Sequence, residues 1–237
     1  MEIKDNVHLQ STLSNKKYKF SRIKERANNG EPLEVVLPNI KNAKIKKGSK
    51  IWERFIDFIP FKNIDNSLSL GEGNTPLISA DDFLKEYTGI NNLLFKNEGQ
   101  NPTWSFKDRG SLACVWMASA MKENKTATIS TGNMGNSIAA YGGRAGLRTI
   151  VFVADFTPKE KINAISIHGA EIYKVHGADY SQMKKKILDM AEKEELRIVS
   201  GNGPIRVEGY KLTAFEIYEQ LNGEIPDYIA VPTSACG

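Results

Sequence analysis

The sequence predicts an α/β protein with parallel sheets covered by helices on both faces. Three observations carry this expectation. From about residue 92 onward, short β-branched or apolar runs alternate with helical patterns, as strand–crossover–strand units require. Each run closes on Gly, Asn, Asp or Pro, the residues that punctuate regular structure. The chain of 237 residues is 41% hydrophobic and 25% charged, ordinary globular usage with enough length for one large or two small cores.

In chain order, the runs at 93–95, 126–130, 149–153, 171–175, 197–199 and 228–231 are the expected strands. Helices are expected to begin near Ser105, Asn136, Pro158, Asp179 and Glu208. Thr157 followed by Pro158 fits a capping hydroxyl ahead of a first-turn proline, and Gly146 and Gly169 stand where glycines end helices. Upstream of residue 70 the pattern is irregular, with no repeat and no low-complexity tract.

Composition narrows the function. The N-terminus lacks an apolar targeting core, and the most apolar stretch, 112–121, is about half of what a membrane span needs. A soluble cytoplasmic protein with no membrane partner is therefore expected. Cys114 and Cys236 support neither a disulfide framework nor a cysteine metal site, and His8, His168 and His176 are too scattered to suggest a cluster, so no metal is expected. Residues 1–50 hold 12 Lys/Arg against 5 Asp/Glu, leaving 20 against 23 for the remainder. The basic run 41–47 lacks interleaved aromatics or a reading motif, so it reads as a solvated lysine face and no nucleic-acid partner is expected.

Chemistry concentrates at Lys107. A lysine that attacks an aldehyde must be neutral, so its ammonium form has to be disfavoured by burial, neighbouring cations or a positive dipole end. Asn101-Pro102-Thr103 reads as a turn and Ser105 as a helix cap, which puts Lys107 in the first helical turn beside the positive end of the dipole. Arg109 is expected to add a second positive neighbour, with Asp108 tempering it.

The stretch Ser69-Leu70-Gly71-Glu72-Gly73-Asn74-Thr75-Pro76-Leu77, then Phe95-Lys96-Asn97-Glu98-Gly99-Gln100-Asn101-Pro102-Thr103, then Ser105-Phe106-Lys107-Asp108-Arg109-Gly110, resembles threonine synthase among the fold-type II enzymes that use pyridoxal 5′-phosphate (PLP). The resemblance runs from about Trp52 to Gly237 and implies a tryptophan synthase β-like fold, with PLP held as a Schiff base on Lys107. Trp104 departs from it, standing where the family usually has a small residue or phenylalanine. The implied domains are an N-terminal segment 1–51 (a cysteine-free remnant of a zinc-ribbon-like region), a large domain from 52–100 and 205–237, and a small domain at 101–204.

Three further segments supply candidate contacts. Ser130-Thr131-Gly132-Asn133-Met134-Gly135-Asn136-Ser137 is a glycine-containing turn feeding a helix, suited by its free amides to a carboxylate or phosphate. A dinucleotide reading competes, with Gly132, Gly135 and Asp155 at suitable spacing but Ser130 in place of the first glycine; so does a plain structural turn. The resemblance implies that Ser130, Thr131 and Gly132 hold the substrate carboxylate and that Asn133 bonds the cofactor's 3′-oxygen. In Gly201-Asn202-Gly203-Pro204-Ile205-Arg206-Val207-Glu208-Gly209-Tyr210-Lys211, it makes Arg206, helped by Asn202, the candidate for the substrate phosphate, although pairing of Arg206 with Glu208 or another local acid remains open. Ser234, Ala235, Cys236 and Gly237 align with the start of the loop that holds the PLP phosphate, where Ala235 and Cys236 replace the commoner Asn and Gly.

The implied reaction converts O-phospho-L-homoserine and water to L-threonine and phosphate, in a chain that admits a homodimer. A threonine or serine dehydratase-like lyase and a catalytically silent fragment or binding subunit are the alternatives. The large domain is expected to be incomplete, truncated at the C-terminus, which predicts poor PLP retention and little threonine formation by the 237-residue form.

Overall fold

The computed structural model describes residues 1–20, 25–130, 132–177, 179–193 and 196–233. The N-terminal segment, irregular by pattern, forms a three-stranded antiparallel sheet of β1 (His8–Ser11), β2 (Lys17–Lys19) and β3 (Leu33–Val36) in the order β2-β1-β3. Its inward positions in β1 are Leu9 and Ser11 alone, an alternation too brief to read as a strand. The short helix α1 (Ile51–Arg54) buries Ile51 and Trp52.

The run at 93–95 is a strand, but not a parallel one. β5 (Leu94–Lys96) pairs antiparallel with β4 (Leu77–Ser79), and α2 (Asp82–Thr88) connects them. Parallel pairing begins further on, where β6 (Lys125–Ile129), β7 (Arg148–Ala154) and β8 (Glu171–Val175) lie in the order β6-β7-β8. The connections are α4 (Asn133–Arg144) and α5 (Lys159–Ser166), and α6 (Tyr180–Lys193) follows β8. Alternate residues of β7 serve opposite faces, as a period of two demands. Val151 and Val153 pack with Ile138 and Ala139 of α4 and Ile165 of α5, whereas Ile150, Phe152 and Ala154 meet Met183 and Ile187 of α6. Both faces are thus covered, the condition under which parallel sheets are stable.

Two expected strands are altered. The run at 197–199 joins β6 through the single bridge Ala127↔Ile198, flanked by amide bonds of 3.1 and 2.7 Å, and through the Thr128 hydroxyl, which donates to the Val199 carbonyl at 2.7 Å. Residues 228–231 form no strand: among the described residues none pairs with them, and Tyr228 is 93% and Val231 66% exposed.

The helix starts also shift. α3 (Lys107–Ala120) begins two residues beyond Ser105, and α4 begins three residues before Asn136. At α5, Pro158 itself takes the cap position, and the Thr157 hydroxyl is buried without a partner among the described residues instead of capping. Asp179 does cap α6, accepting from the Gln182 amide at 2.9 Å. Around Glu208 there are two helices, α7 (Pro204–Tyr210), opened by its proline, and α8 (Leu212–Gln220). Gly146 and Gly169 follow α4 and α5 at φ +68° and +79°, the left-handed values that stop a helix. Among the described residues no helix is long and apolar enough to cross a membrane.

α3 is the central helix. Every residue from Asp108 to Ala118 is buried, so packing surrounds it. Trp116 meets Trp52 edge-on at 5.7 Å and Phe61 at 5.6 Å between ring centroids. α3 crosses α7 at two glycines. A Cβ on Gly209 would lie 2.1 Å from the Arg109 carbonyl oxygen and 2.9 Å from Gly110 Cα, and a Cβ on Gly110 would lie 2.4 Å from Arg206 Cγ. Only hydrogen at both positions lets the two backbones touch. Gly209→Ala should therefore destabilise the fold by about 1–3 kcal/mol, the scale of overpacking a rigid contact. Urea unfolding checks this: the midpoint should fall, and an unchanged midpoint would show that the helices separate at no cost.

Candidate active site

Lys107 opens α3, and the backbone before it is tightly turned. Ser105 Oγ accepts from the Lys107 amide at 3.3 Å, although Phe106, one residue later, is the terminal cap. Asp108 faces inward. Its carboxylate takes the Thr103 amide, the Thr103 hydroxyl and the Ser137 hydroxyl, each at 2.6 Å, and burial raises its pKa against the pull of those bonds. Asp108 therefore ties the first turn of α3 to the first turn of α4 rather than tempering Lys107.

Arg109 also turns away. Its guanidinium bonds Glu98 at 2.7 Å and Glu216 at 2.5 Å, and Glu216 takes Lys96 at 3.1 Å on its other oxygen. Burial alone would lower the Arg109 pKa, but the two carboxylates outweigh it and hold the group charged. The cation beside Lys107 is instead Arg206, which the glycine crossing brings under the helix start. Arg206 is fully buried. Its Nε donates to the Ser200 carbonyl at 3.0 Å, and its Nη1 donates to the Ser111 hydroxyl at 3.1 Å and more weakly to the Lys107 carbonyl at 3.4 Å.

Lys107 itself is half-buried, with Nζ 4.0 Å from the centroid of Phe106 and 5.3 Å from that of Tyr210. Ring faces favour the ammonium. Burial and then the Arg206 charge oppose it more strongly, and the Lys107 pKa falls to about 8. Lys107, Phe106 and Tyr210 open on a largely apolar cleft of about 1260 Å³, walled by Phe55, Phe58 and Phe215 and by the exposed tail from Ile225 to Thr233.

The other expected site residues fall around this cluster. The Ser130 hydroxyl accepts from the amides of Gly132 at 3.2 Å and Gly135 at 3.0 Å, so it shapes the turn that starts α4. Gly132 has open space where a Cβ would stand, and Asn133 is exposed in the first turn. The Asp108–Ser137 bond brings this turn to the Lys107 end of α3. Asp155, the acid at dinucleotide spacing, bonds His176 at 2.7 Å. Asn202 is exposed, two residues before α7, and Ser200 nearby donates to Glu25. Thr131 and the segment Ser234, Ala235, Cys236 and Gly237 lie outside the described residues. Tyr210 was not singled out from the sequence. Its signal is the four-residue spacing from Arg206, which puts both on one face of α7.

This geometry predicts an acid-shifted lysine. In competitive acylation read by peptide mass, Lys107 should titrate near pH 8, reacting as a free amine at pH 9, where ordinary lysines are still protonated. Arg206→Met removes the like charge and should move the Lys107 midpoint upward. Titration of Lys107 together with surface lysines in the parent protein would contradict the arrangement.

Comparison with known proteins identifies the family. The profile of the family described as pyridoxal-phosphate dependent enzyme matches residues 68–237. The threonine synthase of Methanocaldococcus jannaschii is 34% identical over 206 residues, 86% of this chain and 50% of that protein. That of Halalkalibacterium halodurans is 38% identical over 191 residues, 79% of this chain and 52% of that protein. The chain spans about half the length of these relatives. Among solved structures, a PLP-dependent aspartate racemase superposes with a TM-score of 0.57 at 25% identity, covering 62% of this chain and 46% of that one. The processed threonine deaminase isoform 2 of Solanum lycopersicum gives 0.57 at 22% identity over 78% of this chain and 53% of that one, a likeness of fold. With a family match over most of its length, resemblance to threonine synthases and a shared fold-type II architecture, the chain belongs to the pyridoxal-phosphate dependent enzymes.

Proposed function

We propose that the chain carries the lysine half of a threonine-synthase-type lyase, which converts O-phospho-L-homoserine and water to L-threonine and phosphate. The observation that supports this most is Lys107: an amine lowered to about 8 by burial and Arg206, at the mouth of a cleft, with no carboxylate paired to it among the described residues. An aldehyde cofactor needs such an amine, and in this respect the residues fit PLP. Lys107 would hold it through Nζ. Asn133 would contact its ring oxygen and Ser234 to Gly237 its phosphate, while Ser130, Thr131 and Gly132 would take the substrate carboxylate. When bound, the cofactor supplies an electron sink for charge developing on the substrate's carbon chain.

The remaining work falls to the protein. Lys107 Nζ, close to its midpoint at neutral pH, would accept the proton from Cα and deliver protons back along the chain as the Cγ–O bond to phosphate breaks. At Cγ hydrogen replaces the phosphate and at Cβ hydroxyl replaces hydrogen; the hydrogen lost from Cβ balances the one that leaves on inorganic phosphate, so the net addition is one water. Lys107 would guide that water to Cβ. Arg206 would attract the leaving phosphate, and the apolar walls formed by Phe55, Phe58 and Phe215 would keep bulk water from the reacting carbons. As in other enzymes of this chemistry, the small-molecule substrate would be the principal partner, with a homodimer as the proposed assembly.

The 237-residue chain incubated with PLP and reduced with borohydride should carry a pyridoxyl group on the Lys107 peptide. Lys107→Ala should lose both that label and any threonine formation. Label on a different lysine would remove Lys107 from its role, and 2-oxobutyrate in place of threonine as product would replace synthesis with dehydration.

A further inference from the structure

Two buried polar groups in this site have no partner among the described residues: Nη2 of Arg206 and the hydroxyl of Tyr210. They are neighbours. Arg206 and Tyr210 are four residues apart on α7, and both close on Gly110, whose absent Cβ would lie 2.4 Å from Arg206 Cγ and 2.6 Å from Tyr210 Cε1. The guanidinium and the phenol attract each other electrostatically, yet Nη2 and the hydroxyl each lack a well-formed hydrogen bond among the described residues. Leaving a buried donor unpaired is costly, and native structures rarely do so without a reason.

The surroundings specify the missing acceptor. Tyr210 also lines the cleft and lies 5.3 Å from Lys107 Nζ, so the phenol stands between the open cleft and the guanidinium behind it. Lys107 and Arg206 contribute two positive charges to this corner. Two acids face Arg206: Glu25, from the Ser200 side and engaged by the Ser200 hydroxyl, and Asp108, held by Thr103 and Ser137. Two donors at one corner call for a ligand with several acceptor oxygens, and the donors on a guanidinium favour an anion. A phosphate monoester offers three such oxygens, and a carboxylate only two.

We propose that Tyr210 is a specificity-determining residue, whose hydroxyl joins Arg206 Nη2 in a two-donor seat for the phosphate of the substrate. This rests on the reading of the Lys107 site as one that processes a phosphate ester. A phosphate bound at this corner would pair both orphaned donors at once.

Tyr210→Phe removes the hydroxyl and keeps the ring, and unchanged thermal unfolding should confirm that the fold is intact. Calorimetry on the full 237-residue chain with inorganic phosphate as the probe should show binding about tenfold weaker in Tyr210→Phe, the scale of one charge-assisted hydrogen bond, and lost in Arg206→Met. O-phospho-L-homoserine should weaken in the same proportion and L-homoserine should not. PLP and pyridoxal distinguish the other source of phosphate: a Tyr210→Phe effect on PLP but not on pyridoxal or O-phospho-L-homoserine would assign the seat to the cofactor and overturn the proposal. Phosphate binding equal in parent and Tyr210→Phe, or absent from the parent, would overturn it too, with the buried donors then satisfied by water only. The reading of the site stands or falls separately, on the pyridoxyl label at Lys107.

Discussion

The contact on which the site depends is the crossing of two glycines. Gly110 on α3 and Gly209 on α7 bring backbone against backbone, with the Arg109 carbonyl at a distance no Cβ would tolerate. Separated by one side chain, the helices would carry Arg206 and Tyr210 away from the start of α3. At the observed approach, a fully buried guanidinium lies below Lys107 and a phenol ring lies beside it. The basicity of Lys107 is therefore a property of helix packing as much as of local sequence. Its own helix supplies position, and the neighbouring helix supplies the charge.

Around that crossing, buried ions are sorted by partner. Arg109, Lys96, Glu98 and Glu216 form a closed set that links α3 and α8 to the β5 segment, and Arg54 with Glu219 at 2.7 Å extends it toward the surface. Pairs of this kind cost desolvation to form and more to break singly. They consume the cation nearest in sequence to Lys107 and leave it free of carboxylates. Asp108 is consumed in the same way by Thr103 and Ser137. Near the start of α3, three groups without such a partner come together among the described residues: an amine of lowered basicity, one guanidinium nitrogen and one phenol.

Much of this was legible in the sequence, and the exceptions share a cause. The parallel core was readable because β7 is apolar on both faces, β6 and β8 are short runs with β-branched residues beside it, and all three close at glycine or turn residues. Lys107 was readable because a turn and a cap fix a helix start locally. The identity of its cationic neighbour was not, because Arg109 and Arg206 are equivalent until the α3–α7 approach is known. The antiparallel pairing of 93–95 was missed because its partner, Leu77–Ser79, is only three residues long. The run at 228–231 has the composition of a strand but pairs with none of the described residues, and composition does not report pairing.

The account is tested most directly by titrating Lys107 in the Gly209→Ala protein under conditions where it remains folded. Spreading α3 from α7 should loosen the Arg206 and Tyr210 contacts, admit water and return the Lys107 midpoint from about 8 toward the ordinary lysine range. A folded Gly209→Ala protein whose Lys107 still titrates near 8 would contradict the account, because the lowered basicity would then not depend on the glycine crossing.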